Sequence, residues 1–152
     1  MVRIAFGNDH AGYRVREEVL AYLKTQDVEI IDHGSDSPDP VDFPILSRNV
    51  CETVLSGKAD KGILLCGSGL GAAMAANKYR GIRAGVCHDT YSAHQGVEHD
   101  NMNILCIGGQ IVGPWLIKDI IKAYLIAEFD GTDDVVRRVG MVNSLGTVLN
   151  EQ

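Results

Sequence analysis

The sequence predicts an α/β protein in which a five-stranded parallel sheet lies between two layers of helices. Apolar runs alternate with amphipathic stretches along almost the whole chain, the pattern of successive βαβ units. The run Ile63-Leu64-Leu65 is continuously apolar, as expected of a strand covered on both faces. Glycine or a polar cluster closes each apolar run, marking the turn into the next helix.

Val2–Phe6 is the first strand and ends in Gly7. Arg14–Lys24 carries Val15, Val19, Leu20 and Leu23 at helical spacing. Val28–Ile31 is the second strand, closed by Asp32-His33-Gly34. The polar stretch containing Pro38, Pro40 and Pro44 reads as a loop. Ile45–Leu55 is helical, with Gly57 where a C-terminal stop belongs. Gly62–Cys66 is the third strand, Gly67–Gly71 a glycine-rich turn, and Ala72–Lys78 a helix rich in small residues. Arg83–Cys87 is a strand, Thr90–Val97 a short helix, and Ile104–Ile107 the fifth strand. Pro114–Phe129 is a long helix with Pro at its first position, where its missing N–H costs nothing. The tail from Asp133 predicts a last helix. With right-handed crossovers these elements form a three-layer sandwich in one domain spanning residues 1–152.

The formal charge of −6 speaks against a nucleic-acid partner, which demands a basic face. It does not speak against small anions, which local amides or arginines hold. No apolar run reaches the length of a membrane span, and the first residues enter a strand without a charged leader. A cytoplasmic protein is therefore expected, without membrane or nucleic-acid partners. Cys51, Cys66, Cys87 and Cys106 are widely separated, with neither a C-x-x-C pair nor zinc spacing. Three of them are expected to pack as small hydrophobes. His88, His94 and His99 are spaced by six and five residues, a poor match to helical metal ligands, so no metal is expected.

Sites in parallel sheets lie beyond the carboxyl ends of the strands. Those ends hold Asn8-Asp9-His10, Cys66-Gly67-Ser68, His88-Asp89 and Gly108-Gly109-Gln110. In Cys66-Gly67-Ser68-Gly69-Leu70-Gly71, three glycines let successive N–H groups turn toward one point. The loop lacks the Lys-Ser/Thr of a P-loop and the full G-x-G-x-x-G spacing. A cysteine at its mouth has its thiolate favoured by those N–H groups and by the following helix. A base beside oxyanion donors suits proton abstraction next to a carbonyl, the chemistry of aldose–ketose isomerisation. Such chemistry requires no cofactor if amides stabilise the enediolate.

Several blocks resemble the family of ribose-5-phosphate isomerase B and galactose-6-phosphate isomerase. They are Ile4–Gly12, Asp42-Phe43-Pro44, Leu65–Gly71, Ala75–Ala84, Tyr91-Ser92-Ala93 and His99–Asn103. The resemblance implies a Rossmann-like domain acting as a homodimer or dimer of dimers, with active sites between subunits and the C-terminal helix on the partner. It implies Cys66 as the residue that moves the proton and His99, assisted by Asp9, as the ring opener. It further implies Ser68 as a substrate contact and His10 near a phosphate, with the amides of Gly67, Gly69, Leu70 and Gly71 on the enediolate oxygen. Asp42, Asp100, Arg137 and Arg138 complete the expected binding set. Some relatives use a Glu just after the loop as the base; here that position is Ala72, which leaves Cys66 as the base on offer.

The chain departs from that pattern at Gln110 and Asp133, where the family carries phosphate-binding arginines. Phe43 replaces a Tyr and Asp100 an Asn. An Arg–phosphate fork is a strong contact, so its loss, with Asp133 and Asp134 added, weakens the pull on a dianion. Two substrates remain open: a sugar phosphate, and an unphosphorylated or differently substituted sugar. A nucleotide-binding module, a thiol redox enzyme and an inactive sugar-binding regulator are the rival classes. The redox reading lacks a resolving cysteine near Cys66. Without the resemblance, His99 is a solvated loop residue, Asp9 and Asp42 are helix caps, and Arg83 is structural.

Overall fold

The computed structural model describes residues 1–145. The chain runs β1 (Val2–Asn8), α1 (Tyr13–Leu23), β2 (Val28–Asp32), α2 (Phe43–Leu55), β3 (Lys61–Cys66) and α3 (Leu70–Ala76). It continues through β4 (Ala84–Val86), α4 (Thr90–Asp100), β5 (Ile104–Gly108), α5 (Pro114–Ile126) and α6 (Asp133–Ser144). The five strands form one sheet of order β2-β1-β3-β5-β4, and every adjacent pair is parallel.

Strand alternation divides the core between two faces. On one, Ile4, Phe6, Ile63, Leu65, Leu105 and Ile107 pack against Val15, Val19 and Leu23 of α1, Val97 of α4 and the Ile117–Tyr124 stripe of α5. On the other, Ala5, Leu64, Cys66, Ile104 and Cys106 meet Val50 and Cys51 of α2 and Ala72, Ala73 and Ala76 of α3. The small side chains of α3 allow it to lie close to the sheet, which brings the loop before it onto the strand ends. The crossover through α1 leads outward from β1 to β2, and the chain then returns through α2 to β3 on the other side of β1. A crevice opens where neighbouring strands lead away in opposite directions. Here that point lies between the ends of β1 and β3, at Asn8-Asp9-His10 and Cys66.

All five expected strands and all six helices are present. Their ends differ in instructive ways. α2 begins at Phe43 because Pro44 occupies its first turn, where proline is tolerated. α4 runs past Val97 to Asp100 and stops at Asn101, whose φ of 51° is a left-handed cap. His99 is therefore a residue of the last helical turn and not of a loop. Among the described residues no helix is long and apolar enough to cross a membrane.

Candidate active site

The loop from Cys66 to Gly71 joins the buried end of β3 to α3. Its tightest turn is at Gly69, whose φ of 81° disfavours any residue with a side chain. A Cβ there would also stand 3.2 Å from the amide nitrogen of Gly108. This turn aims the Gly69 N–H at Cys66, and it donates to Sγ at 3.0 Å. The sulfur is almost covered, with 7% of the residue exposed. The Ser68 hydroxyl accepts from the Leu70 N–H at 3.3 Å. Two main-chain bonds fix the loop to the segment after β5: Gly109 N–H donates to the Cys66 carbonyl at 2.8 Å and Gln110 N–H to that of Gly67 at 3.1 Å. The exposed Gln110 side chain lies over Gly67, its Oε1 filling the space where a Cβ would be. The Phe43 ring occupies the corresponding place over Gly71.

The end of β1 supplies the opposite wall. Asp9 is buried; its N–H donates to the Leu65 carbonyl at 3.1 Å and its Oδ1 accepts from Gly12 N–H at 2.9 Å. The carboxylate thus fixes the turn that leads into α1, whose N-cap, Gly12, carries no side-chain cap bond. His10 is exposed, and its Nδ1 accepts from the Val41 N–H at 3.1 Å. That bond leaves Nε2 to carry the ring proton of the neutral imidazole, directed away from the Val41 loop. Asp42 is exposed next to this contact and precedes α2 without a side-chain cap bond. A small cavity of about 10 Å³, room for one water, lies beside Cys66 between Asn8, Asp9, Phe43, Ser47 and Ala72. Ser47 Oγ is buried on its wall without a hydrogen-bond partner among the described residues.

Asn8, placed at a strand end by the sequence but given no role there, is buried. Its amide donates to the carbonyls of Asp9 and Ser35, while Oδ1 accepts from Arg16 Nη1 at 2.7 Å. Arg16 also forks onto Asp32. Partial burial alone would raise the Asp32 carboxyl, but the Arg16 bonds and the Gly34 N–H prevail and hold it below its ordinary value. Burial pushes the thiols of Cys51 and Cys87 up to about 11 and that of Cys106 well above its ordinary value.

The expected site residues fall into two groups. Asp9, His10, Asp42, Cys66, Ser68 and the loop amides of Gly67, Gly69, Leu70 and Gly71 gather at the carboxyl edge of the sheet. His99 and Asp100 are exposed at the end of α4 that leads into the start of β5, the opposite edge. α6 packs against α4 and carries exposed Arg137 and Arg138, both paired with Asp134 at 3.5 and 3.8 Å. Arg83 is structural, as its position suggested: its Nε donates to the Asn101 carbonyl at 2.6 Å. Among the described residues no cluster of three or more His, Cys, Asp or Glu is placed to hold a metal ion.

The family model described as Ribose/Galactose Isomerase matches residues 4–142. Ribose-5-phosphate isomerase B of Escherichia coli is 43% identical over 131 residues, 86% of this chain and 88% of that protein. The D-erythrulose-4-phosphate isomerase of Pectobacterium atrosepticum is 38% identical over 133 residues, 86% of this chain and 87% of its own length. The solved structure of ribose-5-phosphate isomerase B from Clostridium thermocellum superposes with a TM-score of 0.93 at 41% identity, covering 97% of this chain and 99% of that one. Motifs, fold and relatives agree, and the chain belongs to the ribose/galactose isomerase family, a family of sugar-phosphate isomerases.

Proposed function

We propose that this protein interconverts an aldose phosphate and its ketose, with Cys66 as the base. The observation that carries this reading is the Gly69 N–H donated to Cys66 Sγ at the carboxyl edge of the sheet. The contact fixes the sulfur at the mouth of the loop, the placement that a base beside the substrate needs. The thiolate removes the proton from C2 of the open-chain aldose. The C–H electron pair becomes the C1–C2 double bond, and the C1 carbonyl oxygen takes the negative charge. Loop amides other than those of Gly69 and Leu70, which point to Cys66 Sγ and Ser68 Oγ, would meet that oxygen. A proton passes from the C2 hydroxyl to the C1 oxygen, the C2 carbonyl forms, and the thiol returns its proton to C1. Atoms and electrons balance without a redox partner.

Ring opening falls to His99 with Asp9. The two lie at opposite edges of the sheet in one copy, and the 10 Å³ cavity beside Cys66 does not admit a sugar. The reading therefore takes the site as composite: one copy gives Cys66, Ser68, Asp9 and His10, and a second gives His99, Asp100, Arg137 and Arg138. The single domain would place its last helix, α6, on the partner. Exposed Leu70 and Met74 on α3, and Val136, Met141 and Val142 on α6, are apolar surface such an association would cover. A cytoplasmic location accords with this substrate class.

One observation favours a less anionic substrate. Gln110 brings no charge to the loop, and Asp134 draws on both Arg137 and Arg138. Turnover of ribose 5-phosphate, a tetrose phosphate and free ribose, compared by kcat/KM, tests the choice. The phosphate reading predicts the free sugar to be worst by about a hundredfold, roughly 2.7 kcal/mol. A free sugar equal to or better than both phosphates contradicts it.

A further inference from the structure

His88 stands just beyond β4 and belongs to no part of the scheme above. Strand β4 ends at Val86, and the last main-chain bond of its ladder is Cys87 N–H to the Cys106 carbonyl at 3.1 Å. One step further along β5, the Gly108 N–H has no strand carbonyl to meet. The half-buried His88 side chain takes that place, its Nε2 accepting from Gly108 N–H at 3.0 Å. An imidazole accepts at Nε2 only when that nitrogen is unprotonated, so the ring proton sits on Nδ1.

Gly108 is no ordinary strand end. It pairs in register with Cys66. A Cβ on it would stand 2.7 Å from the Ser68 carbonyl carbon and 2.8 Å from the Ser68 Cα. One on Gly69 would stand 3.2 Å from the Gly108 nitrogen. The peptide that His88 holds is therefore the floor on which Ser68 and Gly69 rest. The Gly69 N–H that reaches Cys66 Sγ belongs to that same turn.

We propose that His88 is a positioning residue for Cys66: its neutral imidazole fixes Gly108, and Gly108 holds the Gly69 amide on the sulfur. The inference rests on Cys66 as the working thiol, yet it is read out without turnover. Alkylation of Cys66 by iodoacetamide, followed against pH and located by peptide mass, reports the thiolate directly. His88→Ala should slow alkylation at neutral pH about three- to tenfold, the worth of one well-placed hydrogen bond. Its alkylation profile should shift toward alkali, and kcat should fall more than KM rises. His88→Gln keeps a neutral acceptor at similar reach and should recover most of both. Wild-type reactivity in His88→Ala overturns the proposal, and so does equal loss in Ala and Gln variants. If His88→Ala does not fold, ¹⁵N NMR of the unaltered protein decides. Nε2 should be unprotonated at neutral pH; a proton on Nε2 contradicts the strap. Full turnover by Cys66→Ala would remove the base assignment while leaving the alkylation result standing, so the two failures are distinguishable.

Discussion

At the scale of single residues, hydrogen bonding sets Cys66 apart from the other three buried cysteines. Desolvation raises the thiols of Cys51, Cys87 and Cys106, whereas Cys66 alone accepts an amide N–H in a turn at the strand ends. Brief iodoacetamide treatment of the native protein should therefore label Cys66 before the other three, as read by peptide mass spectrometry. Labelling of all four at similar rates would contradict the contrast. Asp32 makes a second prediction. Its folded carboxyl lies below its ordinary value, so its contribution to stability is present above that value and is lost as pH falls through the folded one. Asp32→Asn should cost about 1 kcal/mol at neutral pH, allowing for solvent screening of a partly exposed pair. It should also flatten the acid limb of the stability curve below about pH 4, measured by urea melts. The sequence announced Cys66 and Asp9 because motif and strand-end position coincide in them. It placed Asn8 and His88 at strand ends without giving either a role and did not single out Arg16, because their roles depend on which side chains meet: Asn8 with Arg16 and Ser35, and His88 with Gly108.

At the scale of elements, the glycines record how tightly the strand ends are packed. A Cβ at Gly12 would drive into the Leu65 main chain and come within 2.9 Å of its Cβ. Gly12→Ala should destabilise the fold by about 1–3 kcal/mol, because neither backbone can yield. A thermal or urea melt matching the wild type would show that α1 shifts freely instead. Periodicity made every strand and helix legible, since both faces of the sheet are covered and each strand reads as an apolar run. Helix ends were less legible. Pro44 resembles a loop marker but starts α2, and the polar run after Val97 continues α4 to a left-handed Asn101.

At the scale of the molecule, the expected site residues lie at two edges of the sheet in one copy. Motif spacing could not show this, because spacing carries no direction relative to the sheet. The topology does: a helix that leads into β5 ends near the start of the strands, away from Cys66. The composite reading predicts complementation. Cys66→Ala and His99→Asn proteins, each inactive on the cyclic sugar, should regain activity when mixed and allowed to exchange subunits. Persistent inactivity of an exchanged mixture would place both residues in one copy's site. The central claim is that the Cys66 sulfur removes the C2 proton, and its most direct test follows deuterium at C2 of labelled open-chain aldose phosphate. Wild-type protein should remove the label while Cys66→Ala, folded by circular dichroism, removes it slower by about a thousandfold. Label loss at the wild-type rate in Cys66→Ala would contradict the account.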